Sequence, residues 1–140
     1  MSFRAVLLPL VFLAAFGCGR SDPPRNPQII VNRDTVDFGT GAGLGTYVGT
    51  YRSDSLDIKN GGIEDMVVSG ISIDGDSGFT YITSQPLPYT VRGLQHLFVT
   101  FYFAPSAARA YSATATIAST ASNAPTMAVG LRGQGVAPPP

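Results

Sequence analysis

The run Leu97-Phe98-Val99-Thr100-Phe101-Tyr102-Phe103 decides the fold class. Side chains alternate across an extended strand, so Leu97, Val99, Phe101 and Phe103 fall on one face. A helix would scatter the same four residues around its circumference. A strand that hides one face this completely needs a second apolar layer against it, and the flanking sequence supplies candidates. Leu56 and Ile58 share a face within Ser55–Lys59, and Ala113, Ala115 and Ile117 share one within Tyr111–Ile117.

Further stretches of the same kind are Gln28–Val31, Val36–Phe38, Met66–Ile73, Phe79–Thr83 and Thr126–Arg132. Breakers separate them: Asn60-Gly61-Gly62, Asp74-Gly75-Asp76, Pro86, Pro88, Arg92-Gly93, Pro105 and Asn123-Ala124-Pro125. Short strands at such spacing, with no long helical periodicity, predict an all-β chain. The expected architecture is a single immunoglobulin-like β-sandwich of about seven to eight strands. The chain has one cysteine and no tryptophan, so an antibody-type disulfide and its tryptophan are excluded. Phe38, Phe79 and Phe103 are the expected core plugs, and Asn60-Gly61 is read as a tight connection using positive φ.

The 140 residues hold one domain with appendages: 44% are hydrophobic, 13% are charged, and glycine and proline number 16 and 11. Nine basic and nine acidic residues cancel, and removal of Arg4 with a leader leaves eight against nine. That balance offers no electrostatic footprint for nucleic acid.

Residues 1–17 read as a signal peptide. Arg4 precedes an apolar run from Ala5 to Phe16, which is too short to span a bilayer and of suitable length for a signal sequence. Its end, Ala15-Phe16-Gly17-Cys18, resembles the bacterial lipobox, although Phe16 is bulky for its place and Leu13 lies one position further from the cysteine than the usual leucine. The resemblance implies a diacylglyceryl group on the Cys18 sulfur, cleavage after Gly17 and acylation of the new amino group, with palmitate-like chains. Cys18 is the sole cysteine, and lipidation explains a lone thiol on an exported chain. Ordinary secretion with an incidental cysteine is the alternative. Residues 18–27, with Pro23, Pro24 and Pro27, read as an extended tether. Residues 28–135 are then the sandwich and residues 136–140 a proline-rich tail. Gly19 in place of Asp after the cysteine favours the outer membrane, by analogy.

Within residues 27–135 an ordered set of landmarks is similar to a known family. These are Val36-Asp37-Phe38-Gly39, Leu56-Asp57-Ile58-Lys59-Asn60-Gly61-Gly62, Val68-Ser69-Gly70-Ile71-Ser72-Ile73 and Gly75-Asp76 leading to Phe79. Phe101-Tyr102-Phe103-Ala104-Pro105, Tyr111-Ser112-Ala113 and Leu131-Arg132-Gly133-Gln134-Gly135 complete the set. They resemble the abnormal-spindle/hydin (ASH) domain and the bacterial choice-of-anchor D repeats. The resemblance implies a non-catalytic interaction or scaffold module, related in fold to major sperm protein and pilus-chaperone domains. Arg92-Gly93-Leu94 departs from the family's Pro-Gly turn and leaves the turn type open.

Candidate chemical sites are weak. Gly39–Thr46 is glycine-rich like a phosphate loop, but it lacks the lysine and the following helix. Asp74-Gly75-Asp76-Ser77-Gly78 begins like a calcium loop, but Gly78 and Gln85 stand where ligands belong. His96 is the only histidine, so neither a histidine metal cluster nor a placed Ser-His-Asp triad is expected. Glu64 and Asp65 show no pairing of the kind a glycosidase uses. No catalytic, cofactor-binding or metal residue is therefore assigned, no cofactor is implied, and the chain is expected not to be an enzyme.

One binding hint remains: Phe98 and Tyr102 share the strand face opposite the core, and outward aromatics are enriched at interfaces, the alternative being that loops or the proline-rich tether cover them. The expected function is a lipid-anchored cell-envelope module that binds an envelope protein through a sheet face or edge. The rival is a carbohydrate or peptidoglycan binder, for which tyrosines are a thin supply and tryptophan is absent.

Overall fold

The structure, a computed structural model, describes residues 17–41 and 43–140. Apart from Gly17, the expected leader lies outside the described residues. Two antiparallel-rich sheets face each other. The first has the order β1 (Ile29–Val31), β4 (Arg52–Asn60), β8 (His96–Phe103), β6 (Phe79–Thr83). The second runs β2 (Thr35–Asp37), β10 (Thr126–Val136), β9 (Ala110–Ser119), β5 (Met66–Gly75), β7 (Tyr89–Val91), with β3 (Thr46–Tyr47) pairing in parallel beside β2 along β10. The immunoglobulin-like sandwich is as read from sequence, with ten strands rather than seven or eight. The two additional ones, β3 and β7, are two and three residues long and flank glycine- and proline-rich segments, where alternation has no room to show.

The inward faces are those the alternation assigned. Leu97, Val99, Phe101 and Phe103 on β8, Leu56 and Ile58 on β4, and Ala113, Ala115 and Ile117 on β9 are all buried. Phe38, Phe79 and Phe103 meet as a cluster, with ring centroids 5.0 to 6.0 Å apart. Tyr111 adds an edge-on contact to Phe103 at 5.4 Å. Each such pair adds about 0.5–1.5 kcal/mol beyond the area it buries.

Asn60-Gly61-Gly62 is not the positive-φ turn expected from sequence, since none of the three has a positive φ. Asn60 is instead fully buried, and its amide is saturated. Nδ2 donates to the carbonyls of Glu64 (2.8 Å) and Val91 (3.1 Å), while Oδ1 accepts from the backbone of Gly62 (3.0 Å) and Gln28 (3.3 Å). Gly62 serves close approach, because a Cβ there would lie 2.0 Å from the Asn26 carbonyl oxygen. The chain before β1 is docked on this loop: Ile63 and Glu64 donate to the carbonyls of Pro24 and Arg25. Irregular chain from Cys18 to Pro23 precedes that docked part.

The turn left open at Arg92-Gly93-Leu94 is closed by Gln95 N–H donating to Arg92 C=O at 3.0 Å. Leu94 takes the left-handed conformation (φ 64°), and Gly93 is needed because a Cβ would sit 2.2 Å from Ile63 O.

Candidate interaction surface

The two outer faces of the sandwich differ in chemistry. The six-stranded sheet presents Ser72, Asp74, Ser112, Thr114, Thr116 and Arg132, the alternates of its buried residues. The four-stranded sheet presents Phe98 and Tyr102 from β8, with Ile82 from β6 and Ile30 from β1. Phe98 is 49% exposed, Ile82 57% and Ile30 49%. Among the described residues no loop or tether buries Phe98. Tyr102 is half-buried because the ring of Tyr51, itself 68% exposed, lies against it at 5.9 Å.

Register explains how these side chains meet. β4 and β8 pair with Asp57 opposite Phe98, Ser55 opposite Thr100 and Ser53 opposite Tyr102, while β6 brings Ile82 opposite Thr100. His96 opens β8 at the solvent. Its ring stacks nearly parallel on Phe98 (6.1 Å, 9°), and Nδ1 lies 2.7 Å from Asp57 Oδ1. The resulting surface is a row of aromatic faces flanked by a carboxylate–imidazole pair and by the hydroxyls of Ser55 and Thr100, which lie 3.3 Å apart. Phe98 and Tyr102 were legible from alternation within one strand. Ile82 carries the same signal within Phe79–Thr83, whereas Tyr51 and the Asp57–His96 pair depend on register across strands distant in sequence.

The other candidates are occupied by structure. The Arg52 guanidinium donates to Phe38 O (3.2 Å) and Leu44 O (2.9 Å), which pins the glycine-rich segment from beneath; Ala42 within it lies outside the described residues. The Asp76 carboxylate accepts from Ser112 N at 2.9 Å and from Arg109 Nη2 at 3.3 Å. The Ser112 amide, then Arg109, holds it below the ordinary carboxylate range. For Asp37, partial burial acts upward but is outweighed by Gly39 N–H, Thr40 and Arg132, so its carboxyl too lies low. The Ser106 hydroxyl lowers the Tyr111 phenol, whose oxygen also accepts from the Ala107 and Ser106 amides. Among the described residues no three His, Cys, Asp or Glu side chains cluster as a metal site would need. Cys18 is a free, exposed thiol. No described helix is long and apolar enough to cross a membrane.

No family model matches the sequence, and no curated protein does. In three dimensions the chain is similar to the ASH/PapD-like domain 7 of human CEP192, at 16% identity and a TM-score of 0.65 over 99% of both chains. It is also similar to a protein of unknown function from Porphyromonas gingivalis W83, at 10% identity and a TM-score of 0.64, covering 82% of this chain and 50% of that one. The secreted serine protease VesC of Vibrio cholerae matches at 11% identity and a TM-score of 0.55; 77% of this chain is covered and 23% of the protease. The fold is therefore the ASH/PapD-like immunoglobulin sandwich.

Proposed function

We propose that this chain is a non-enzymatic, lipid-anchored protein of the cell envelope that binds another envelope protein on the outer face of its four-stranded sheet. The observation that carries the reading is the grouping of Phe98, Ile82 and the Tyr51–Tyr102 pair on that one sheet face, whereas the long strands of the opposite sheet present polar side chains; the other exposed large apolar residues, Leu44, Tyr47, Ile63 and Leu94, are scattered over loops and the short strand β3. Burying a side chain of this size contributes about 1.5–3 kcal/mol, so a few of them give a partner a usable centre. The Asp57–His96 pair and neighbouring hydroxyls suit a polar rim. An ASH/PapD-like fold agrees with an interaction module.

The anchor rests on Cys18, an exposed thiol at the head of irregular chain, behind an apolar leader with a lipobox-like end. Two signals, acyl chains on the sulfur and on the new amino group, suffice for stable membrane attachment. Gly19 in place of Asp after the cysteine supports outer-membrane placement, by analogy.

The test is in-cell photocrosslinking from position 98 of the full-length chain, with Cys18→Ala as the anchoring control. One reproducible envelope protein, lost when Cys18→Ala releases the chain from the membrane, is the expected outcome. Crosslinks no different from those of a probe at Thr114 on the opposite sheet would sink the protein-binding reading. A second reading, a glycan binder, is favoured by the aromatic row beside Asp57 and His96. Retention of the chain on isolated peptidoglycan, lost on Phe98→Ser, would replace the first reading with it.

A further inference from the structure

A β-sandwich has sheet edges whose unpaired N–H and C=O groups invite another strand, and proteins protect them with charge, proline, bulges or a covering group. The edges of this sandwich are treated unequally. On β1 the residues whose backbone groups point outward are Ile29 and Val31, because Gln28 and Asn32 bond to the β4 side, at Gly61 and Asp57. The Asn123 side chain plugs Ile29, its Oδ1 accepting from Ile29 N (2.8 Å) and its Nδ2 donating to Ile29 O (2.9 Å), which leaves Val31 as the one outward position of this short edge. The β7 edge is three residues long between Pro88 and Arg92, and β5 beyond it has an irregular register between Val68 and Gly70 and carries Asp74. The opposite edge is split between β2 and β3, with Arg33, Asp34 and Asp37 around β2.

Among the described residues the β6 edge has none of these guards. Phe79-Thr80-Tyr81-Ile82-Thr83 is a regular strand without charge, proline or bulge, and its one neighbour among the described residues is β8. Gly78 O accepts from Ala104 N and Ser84 N donates to Phe98 O, so even-numbered residues bond to β8. By the alternation of antiparallel pairing, the N–H and C=O groups of Phe79, Tyr81 and Thr83 point to the open side.

We infer that β6 is a self-pairing edge, through which two copies of this chain join antiparallel about a two-fold axis at Tyr81. The choice of a second copy rests on charge and register. An uncharged strand offers nothing to a charged partner strand, and β6 meets itself without a like-charge contact. A formal net charge near zero, eight basic against nine acidic residues once the leader with Arg4 is removed, leaves little long-range repulsion between copies. With Tyr81 opposite its own mate, Phe79 and Thr83 exchange backbone bonds, and Thr80 faces Ile82 of the second copy twice on the outer face. Such a closed, isologous contact stops at the dimer. It joins the two four-stranded sheets and leaves the Phe98 and Tyr102 faces of both copies open on the same side, so it stands independently of what binds there.

Thr80 and Ile82 are both exposed, so cysteines there leave the fold intact. Full-length chains carrying Thr80→Cys under one tag and Ile82→Cys under another are co-expressed and mildly oxidised. Opposed non-hydrogen-bonded residues lie about 4.5 Å apart at Cα, within disulfide reach. The expected result is a mixed-tag disulfide dimer about tenfold more abundant than from the same experiment with Ile30→Cys chains at the plugged edge, Cys18 being common to both. A mixed-tag yield no greater than that control overturns the inference.

Discussion

The side-chain amide of Asn60 donates to the backbone carbonyl of Val91 at 3.1 Å, joining the end of β4 in one sheet to the end of β7 in the other. The same amide ties down Gln28, Gly62 and Glu64, so one buried side chain fixes where the chain enters the sandwich and where it turns.

Asn60→Ala therefore strands several buried backbone groups together. A loss of about 3 kcal/mol is expected from leaving such groups unpaired, read as a lower denaturant midpoint with an unchanged slope. Asn60→Asp should do no better, because a carboxylate cannot donate to the Val91 and Glu64 carbonyls. A midpoint within experimental error of the parent chain would refute the hub.

Gly133 on β10 lies against the Phe103 ring, and a Cβ there would approach it to 2.5 Å. Gly133→Ala is expected to cost about 1–3 kcal/mol by overpacking the aromatic cluster. Combining it with Phe103→Leu, which removes the clashing ring edge, should give less than the sum of the two single losses, measured as a double-mutant cycle.

Phe98 and Tyr102 face solvent, so Phe98→Ser with Tyr102→Ser should leave the unfolding free energy within about 1 kcal/mol of the parent. Partner crosslinking from elsewhere on that face should fall sharply. Loss of the fold in thermal unfolding would show instead that the aromatics are structural.

Asp76 has a lowered native carboxyl value, so the ionised form favours the folded state at neutral pH. Its contribution is fully present above the unfolded value of 3.8 and is lost as the pH falls through the lower native value. Asp76→Asn should therefore flatten the acid limb of the stability–pH curve below about pH 4 while lowering stability at pH 7. An acid limb identical to that of the parent would remove Asp76 from the account.

The legible part of the candidate surface was the part written within one strand. Phe98 and Tyr102 follow from Leu97–Phe103 alone, because alternation fixes the outward face once the inward one is known. Tyr51 and Asp57 could not be placed this way. Tyr51 precedes β4 by one residue, and Asp57 reaches His96 only through a β4–β8 register that bridges 39 residues of sequence. Asn60 was misread for the same reason: Asn-Gly is a turn signal locally, and only burial against Glu64 and Val91 makes it a hydrogen-bond hub.

By itself the sequence determined the all-β class, the inward face of each long strand and the Phe38, Phe79 and Phe103 core, since side-chain period and size act at short range. The tertiary structure decided which strands share a sheet, because nearly every connection before β9 crosses between sheets and local turns carry little pairing information. It also decided which edges are closed: Asn123 plugs β1 from 94 residues away, and nothing among the described residues does the same for β6. Those are statements about backbone groups, which are identical in every residue but proline and become distinguishable only when the fold puts a partner beside them or leaves them bare.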